Sequence, residues 1–413
     1  MSIDVKNNNG FNQVTLNITP DSDKETTYNL YWSKNGKRLS GYEPIKTLSH
    51  TGADAFEVKL NDGIYMPSEA TEMEVEVVTD KKKSYFVSAP DSLKPESSEL
   101  LYKFCVISDL HVRGDKQDGY DQEWYGSTPT GKSVNTQLKG ANVHKAFDDI
   151  IAQGYTKDNS FIFTVGDETD SGSPNDYKLL YDIIKSKTNL PDINFTLGNH
   201  EYLYLNKNES NAANKINQYN TQLELFKQYH NLAQAPYYSK EINGTKFIVL
   251  GSETKYSRGE MTDTQINWLE SQLASCEKDE LVFLFLHQPL PNTVSSTSGS
   301  SSDHGFTNQA DKIRDILKNY PNAIMFSGHT HYPSSSPQPA LFGMGNDANF
   351  VNAYSVGYLY DREAEKVTGT RYVDGAQGLY VEVYKDYVLL RTREYVNGTW
   401  CPGAQFKVPI IEK

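Results

Sequence analysis

The sequence predicts an α/β domain preceded by an all-β sandwich, and three observations carry that expectation. The first is length: 413 residues exceed what a single hydrophobic core organises, so two domains follow. The second is a change of pattern along the chain. Up to about Ala89 strands and turns alternate with no helical periodicity, whereas after Lys103 short apolar runs alternate with helical segments. The third is where the apolar runs stop. KFCVISDLH (Lys103–His111), FIFTVGDETD (Phe161–Asp170), INFTLGNHE (Ile193–Glu201), LVFLFLHQP (Leu281–Pro289) and AIMFSGHTH (Ala323–His331) each halt at Asp, Asn or His. Polar side chains at the carboxyl ends of buried strands point out of an α/β sheet into a crevice.

The elements follow in order. VTLNI, YNLYW, AFEVKL, MEVEVV and SYFVSA alternate apolar with polar residues between NG, DG and SG breaks. Residues 1–90 are therefore expected to form an antiparallel sandwich of immunoglobulin or fibronectin type. Residues 91–99, polar and proline-bearing, read as a linker, and residues 100–413 as the second domain. Its expected helices are Ala141–Gln153, Asn175–Lys187, Ala212–His230, Asp263–Ser275 with Thr262 as N-cap, and Asn308–Asn319. GLYVEVY, YVLLRTREY and QFKVPII close the chain as strands of a second sheet packed on the first. Gly114–Gly140 and the Ser-rich Asn292–Gly305 leave the ligand edge and are candidate substrate-facing loops, His304 among them.

Composition excludes several classes. A formal net charge of −13 argues against non-specific nucleic-acid binding, which needs a basic stripe. An anionic substrate must then be drawn in locally, as bound divalent metals do. Three widely spaced cysteines, Cys105, Cys276 and Cys401, make no disulfide scaffold, and Cys105 reads as a small buried hydrophobe. MSIDVKNNNG has no signal-peptide pattern, and no run reaches the roughly 20 apolar residues of a spanning helix. Abundant Asn, Ser, Thr and Tyr point to an exported protein whose leader has been removed, with a cytoplasmic protein as the alternative.

DLH, GDETD, GNHE, a His after a strand, and GHTH, in this order, resemble the calcineurin-like metallophosphoesterase superfamily, from Lys103 to the C-terminus. The resemblance implies a four-layer αββα sandwich with two metal ions at one edge. Carried residue by residue, it implies that Asp109, His111 and His331 hold one metal, that Asn199, His287 and His329 hold the other, and that Asp167 bridges them. Hard oxygens mixed with imidazole suit Mn, Fe or Zn, and no thiolate is offered. Two such ions a few ångströms apart acidify a hydroxide held between them and neutralise a phosphoryl group during in-line attack. His200 would then act as general acid toward the leaving oxygen, with Glu201 and Asp170 orienting ligands from behind.

Departures from subfamily patterns narrow the expectation. Ser171 and Tyr202 stand where serine/threonine phosphatases carry phosphate-binding arginines, and Asp170 stands where the distantly similar purple acid phosphatases have a metal-binding Tyr. The expected function is that of a bacterial-type phosphatase or phosphodiesterase acting on a small or surface-borne phosphate ester. Two other readings are a binding protein that has lost catalysis, and a first domain that recognises carbohydrate or protein, which an exposed row of rings including Tyr31 and Trp32 would support, although core packing is the favoured use of those rings. His50, His144 and His230 read as structural residues.

Overall fold

Residues two apart on a strand share a face, and the phenylalanines of the apolar runs are spaced that way. In the computed structural model, which describes residues 2–7, 12–21, 23–79, 82–115, 125–205, 212–232, 236–253, 259–298, 305–306 and 309–412, those rings face one another between two sheets. One sheet holds the parallel strands Asp192–Asn194, Phe161–Thr164 and Leu100–Ile107, with Gln377–Tyr384 on the far side of Leu100–Ile107. The other holds Thr245–Val249, Val282–Phe285, Ala323–Ser327 and Asn349–Asn352 in parallel, closed by antiparallel Tyr238–Ile242 and Ala340–Leu341. Phe163 stacks on Phe285 with centroids 4.1 Å apart, and Phe104 meets Phe283 edge-on at 5.0 Å. Each such pair adds about 0.5–1.5 kcal/mol beyond its burial.

The intervening side chains point outward. Val282, Leu284 and Leu286 pack with Leu269 and Leu273 of helix Asp263–Ala274 and with Ile313 and Leu317 of helix Ala310–Leu317. Burial on both faces is why VFLF and AIMFS read as continuous apolar runs rather than alternating ones. Thr262 caps its helix by accepting from Gln265 N, and Ser173 caps helix Pro174–Lys185 by accepting from Asp176 N. Helices Ala141–Ala152 and Ala212–His230 complete the expected set, though Asn308 and the loop residues 116–124 and 299–304, His304 included, lie outside the described residues. Two short helices, Val134–Gln137 and Arg362–Thr368, were not expected; the latter buries none of its side chains and so has no apolar face to read. No helix among the described residues is long and apolar enough to cross a membrane.

By their contacts, residues group into two units. The one just described comprises Tyr102–Tyr380, Tyr395–Asn397 and Ile410–Lys413. The other comprises Met1–Leu101, Val381–Glu394 and Gly398–Pro409, and is all-β. Strand Thr26–Lys34 pairs with Lys46–His50 on one side and Glu72–Val78 on the other, while Ser2–Asn7, Val14–Thr19 and Phe56–Lys59 form a separate sheet. Leu16, Ile18, Leu30, Trp32, Val58 and Val75 share its core. The last two strands, Tyr387–Glu394 and Thr399–Pro409, extend the sheet of Leu100–Ile107 beyond Gln377–Tyr384, and by contacts they group with this unit, where Ile64 bridges Phe406 and Tyr42 bridges Trp400. Hydrophobic alternation specifies a strand but not its partner, so these pairings come from the fold. Of the two rings named for a recognition surface, Trp32 is a core residue, the use the sequence favoured for it, and the Arg38 guanidinium lies 3.3 Å from the Tyr31 centroid.

Candidate metal centre

Each candidate ligand lies two to five residues beyond a parallel strand. Asp109 and His111 follow Ile107, Asp167 follows Thr164, and Asn199 follows Asn194, all on the first sheet. His287 follows Phe285, and His329 and His331 follow Ser327, on the second. The backbone there is unusual: Asp109 (φ 51°), His111 (φ 44°), Asp167 (φ 51°), His329 (φ 66°) and His331 (φ 56°) are all left-handed. Non-glycine residues in this region cost of order 1–3 kcal/mol each and persist only where the surroundings hold them. The preceding glycines make room for that crowding. A Cβ at Gly328 would run into Ser108 Oγ, one at Gly198 would run into Asp167 Oδ1, and one at Gly166 would lie 2.6 Å from His287 Nδ1.

The side chains gather into two groups sharing one carboxylate. In the first, His331 Nε2 lies 3.0 Å from Asp109 Oδ1 and 3.1 Å from His111 Nε2. In the second, His287 Nε2 lies 3.2 Å from both Asn199 Oδ1 and His329 Nδ1. Asp167 Oδ2 faces both, 3.7 Å from His111 Nε2 and 3.1 Å from His287 Nε2. The turn at Gly328 thus sends His329 and His331 to different groups.

The donor set fits metal ions. His331 Nδ1 donates to Tyr358 O at 2.9 Å and His287 Nδ1 to Val165 O at 2.6 Å, so each Nε2 turns a lone pair inward. Asp109 Oδ2 accepts from Ser108 Oγ and His329 N, which leaves Oδ1 to the imidazoles; Asp167 Oδ1 accepts from His200 N, which leaves Oδ2. Lone pairs brought nitrogen to nitrogen repel unless a cation lies between them. Protons mimic that cation: although burial pulls both down, neighbouring carboxylates push His111 up to about 10 and His287 to about 9. Against the raising effect of burial, the surrounding imidazoles hold Asp109 and Asp167 well below the usual carboxylate range.

A ring of further contacts holds the ligands. Glu201, fully buried, accepts from Asp167 N, Thr169 N, Thr169 Oγ1 and Gly198 N, tying the GD loop to the GN loop, and burial followed by the charge of Asp167 pushes it up to about 7. Gln222, from the helix Ala212–His230, donates to Ser171 O and Glu201 O from the other side. Nothing in its sequence context marks that Gln as internal. Asp170 lies behind His111, with Oδ1 3.5 Å from its Nδ1. His200 Nδ1 donates to Asp170 O at 2.8 Å, and its Nε2 is 4.0 Å from Asp167 Oδ2. Its side chain is 22% exposed where those of His111 and His287 are fully buried, which puts it at the mouth. His230 is remote from this edge: stacked on Phe195 and bonded to Tyr181 OH, it is pushed down to about 3 by burial and is a structural residue.

Two facing α/β sheets whose carboxyl edges bring imidazoles, carboxylates and one amide together define a metal-binding hydrolase fold. The chain belongs to the calcineurin-like phosphoesterase family, whose model matches residues 102–333, more than half its length. It is similar to a probable cyclic nucleotide phosphodiesterase of Rhodococcus erythropolis, 25% identical over 289 residues that span 68% of this chain and 80% of the relative. Among solved structures it is similar to a conserved uncharacterized protein, a predicted phosphoesterase, from Streptococcus pneumoniae (13% identity, 75% of this chain and 97% of that one, TM-score 0.30). A 5'-nucleotidase precursor from Thermus thermophilus is similar over 75% of this chain and 54% of its own (13% identity, TM-score 0.33).

Proposed function

We propose that this phosphoesterase is a two-metal enzyme that prefers phosphodiesters to phosphomonoesters. The observation that carries the two-metal reading is the position of Asp167 Oδ2, one oxygen facing both imidazole groups. Asp109, His111 and His331 would hold one ion, Asn199, His287 and His329 the other, with Asp167 between. When bound, Mn, Fe or Zn ions supply positive charge for the phosphoryl oxygens and acidify the attacking water.

His200 handles the leaving group's proton. Asp170 O is only an acceptor, so Nδ1 keeps its hydrogen and Nε2, 4.0 Å from Asp167 Oδ2, is the nitrogen on the side of the ligand groups. In the imidazolium form, Nε2 donates to the departing alkoxide.

The diester preference rests on Ser171 and Tyr202, which stand where serine/threonine phosphatases carry phosphate-binding arginines. A monoester dianion calls for bidentate arginines, whereas Ser171 Oγ is engaged by Asp176 and Tyr202 is buried with its hydroxyl on Ser252 O. The name of the Rhodococcus relative points to the same substrate class. The test is turnover of bis(p-nitrophenyl) phosphate against p-nitrophenyl phosphate with Mn, Zn and Fe supplied separately. A higher kcat/KM for the diester is expected; a monoester preference under every metal overturns the assignment.

A further inference from the structure

The ring nitrogens that face away from the ligand groups are not all treated alike. Those of His287 and His331 donate to backbone carbonyls, fixed and neutral acceptors. His111 is backed instead by the carboxylate of Asp170, and at 3.5 Å its Nδ1 makes no proper hydrogen bond. A carboxylate pressed against the back of an imidazole raises the basicity of the other nitrogen more than a carbonyl does, and such outer partners shift metal affinity by about 10–100-fold. What holds this one off is visible. Tyr125 OH donates to the same Oδ1 at 2.8 Å, and Arg113 binds Oδ2 through Nε at 2.8 Å and Nη2 at 2.6 Å. Arg113 Nη1 also donates to Asn135 Oδ1 at 3.0 Å, and Asn135 Nδ2 donates to Tyr125 O at 2.8 Å. The four residues close a ring of hydrogen bonds around a carboxylate whose side chain is 2% exposed.

We propose that Tyr125, with Arg113 and Asn135, is a positioning residue that keeps the Asp170 carboxylate from closing onto His111 and so holds the metal affinity of the Asp109–His111–His331 group below its attainable value. The proposal rests on the reading of His111 as a metal ligand. The Tyr125 hydroxyl would set that affinity without touching the residues that would hold the ion. Arg113 contributes in a second way, because it neutralises the buried charge of Asp170 that would otherwise add directly to the field at His111.

Calorimetric titration of the full chain with Mn2+ alone tests this. Tyr125→Phe keeps the ring that packs 5.1 Å from Tyr358 and removes only the hydroxyl. It should tighten one of two Mn2+ equivalents several-fold, leave the other unchanged, and leave the melting temperature within a few degrees. Asp170→Asn should weaken the same equivalent about tenfold or more, and Tyr125→Phe should have no further effect in that background. Wild type binding two ions, with Tyr125→Phe indistinguishable from it or weaker in both, overturns the clamp alone and leaves Tyr125 a loop anchor. Tightening that persists in the Asp170→Asn background also overturns it. A wild-type chain that binds one ion unaffected by His331→Ala overturns the ligand reading and the clamp with it.

Discussion

The phenylalanine layer and the ligand edge lie on the same strands, a few residues apart, and are built by opposite rules. Phe163 sits in a regular parallel ladder, its ring stacked against those of both Phe247 and Phe285. Asp167, four residues on, is as deeply buried, left-handed at φ 51°, and crowded by charge. Free energy gained by burying the rings offsets strain and desolvation at the edge, so the two layers should respond separately to substitution.

The largest expected effect is on activity. Asp167→Ala should abolish metal retention and lower turnover of every ester by roughly a thousandfold or more, while the melting temperature of the metal-free protein falls less than for a core variant. A melting temperature that falls as far as for a core variant would break the separation. Gly328→Ala comes next: its Cβ would run into Ser108 Oγ and lie 2.5 Å from Asp109 Oδ2, so metal content should fall while the far-ultraviolet dichroism stays native.

Phe163→Ala tests the other layer. It should cost about 3–5 kcal/mol in denaturant unfolding and retain metal below the transition. The smallest effect, and the most selective, belongs to His200→Ala. Metal content should hold, alkyl ester turnover should drop by roughly a hundredfold, and nitrophenyl esters, whose alcohols leave without a proton, should lose less. Burial, and then His111 against the pull of Asp167, set His200 below its ordinary 6.5. A group with a lowered pKa loses its donating form as pH rises through that value, so wild-type kcat for alkyl esters should decline toward neutral pH while the aryl rate does not. Parallel profiles for both would assign His200 to phosphate positioning instead.

Much of this was legible in the sequence for a simple reason. Apolar runs that stop at Asp, Asn or His encode both a strand buried on two faces and the candidate ligand beyond it, as in the run that ends at Asp109 and His111. Local periodicity also sufficed for the helix opened by Thr262. What escaped was whatever depends on distant pairing. Arg113 and Tyr125 lie on loop segments without periodicity, and only the fold brings them to Asp170. Gln222 sits on a polar helix whose pattern hides that one amide faces inward. Tyr387–Glu394 and Thr399–Pro409 read as strands, but their unit is set by partners such as Ile64 and Tyr42, which no alternation records. The left-handed backbone of Asp109, His111, Asp167, His329 and His331 was unreadable for a related reason: Asp and His visit positive φ more than most residues, but which of them do so is set by the fold.

Metal stoichiometry is the most direct test of the shared carboxylate. Full-length protein loaded with Mn2+, freed of excess and analysed for metal per chain, should hold two equivalents. His287→Ala and His331→Ala should each retain at most one, and Asp167→Ala should retain none firmly. A wild-type value of one that His287→Ala leaves unchanged would contradict the two-metal centre.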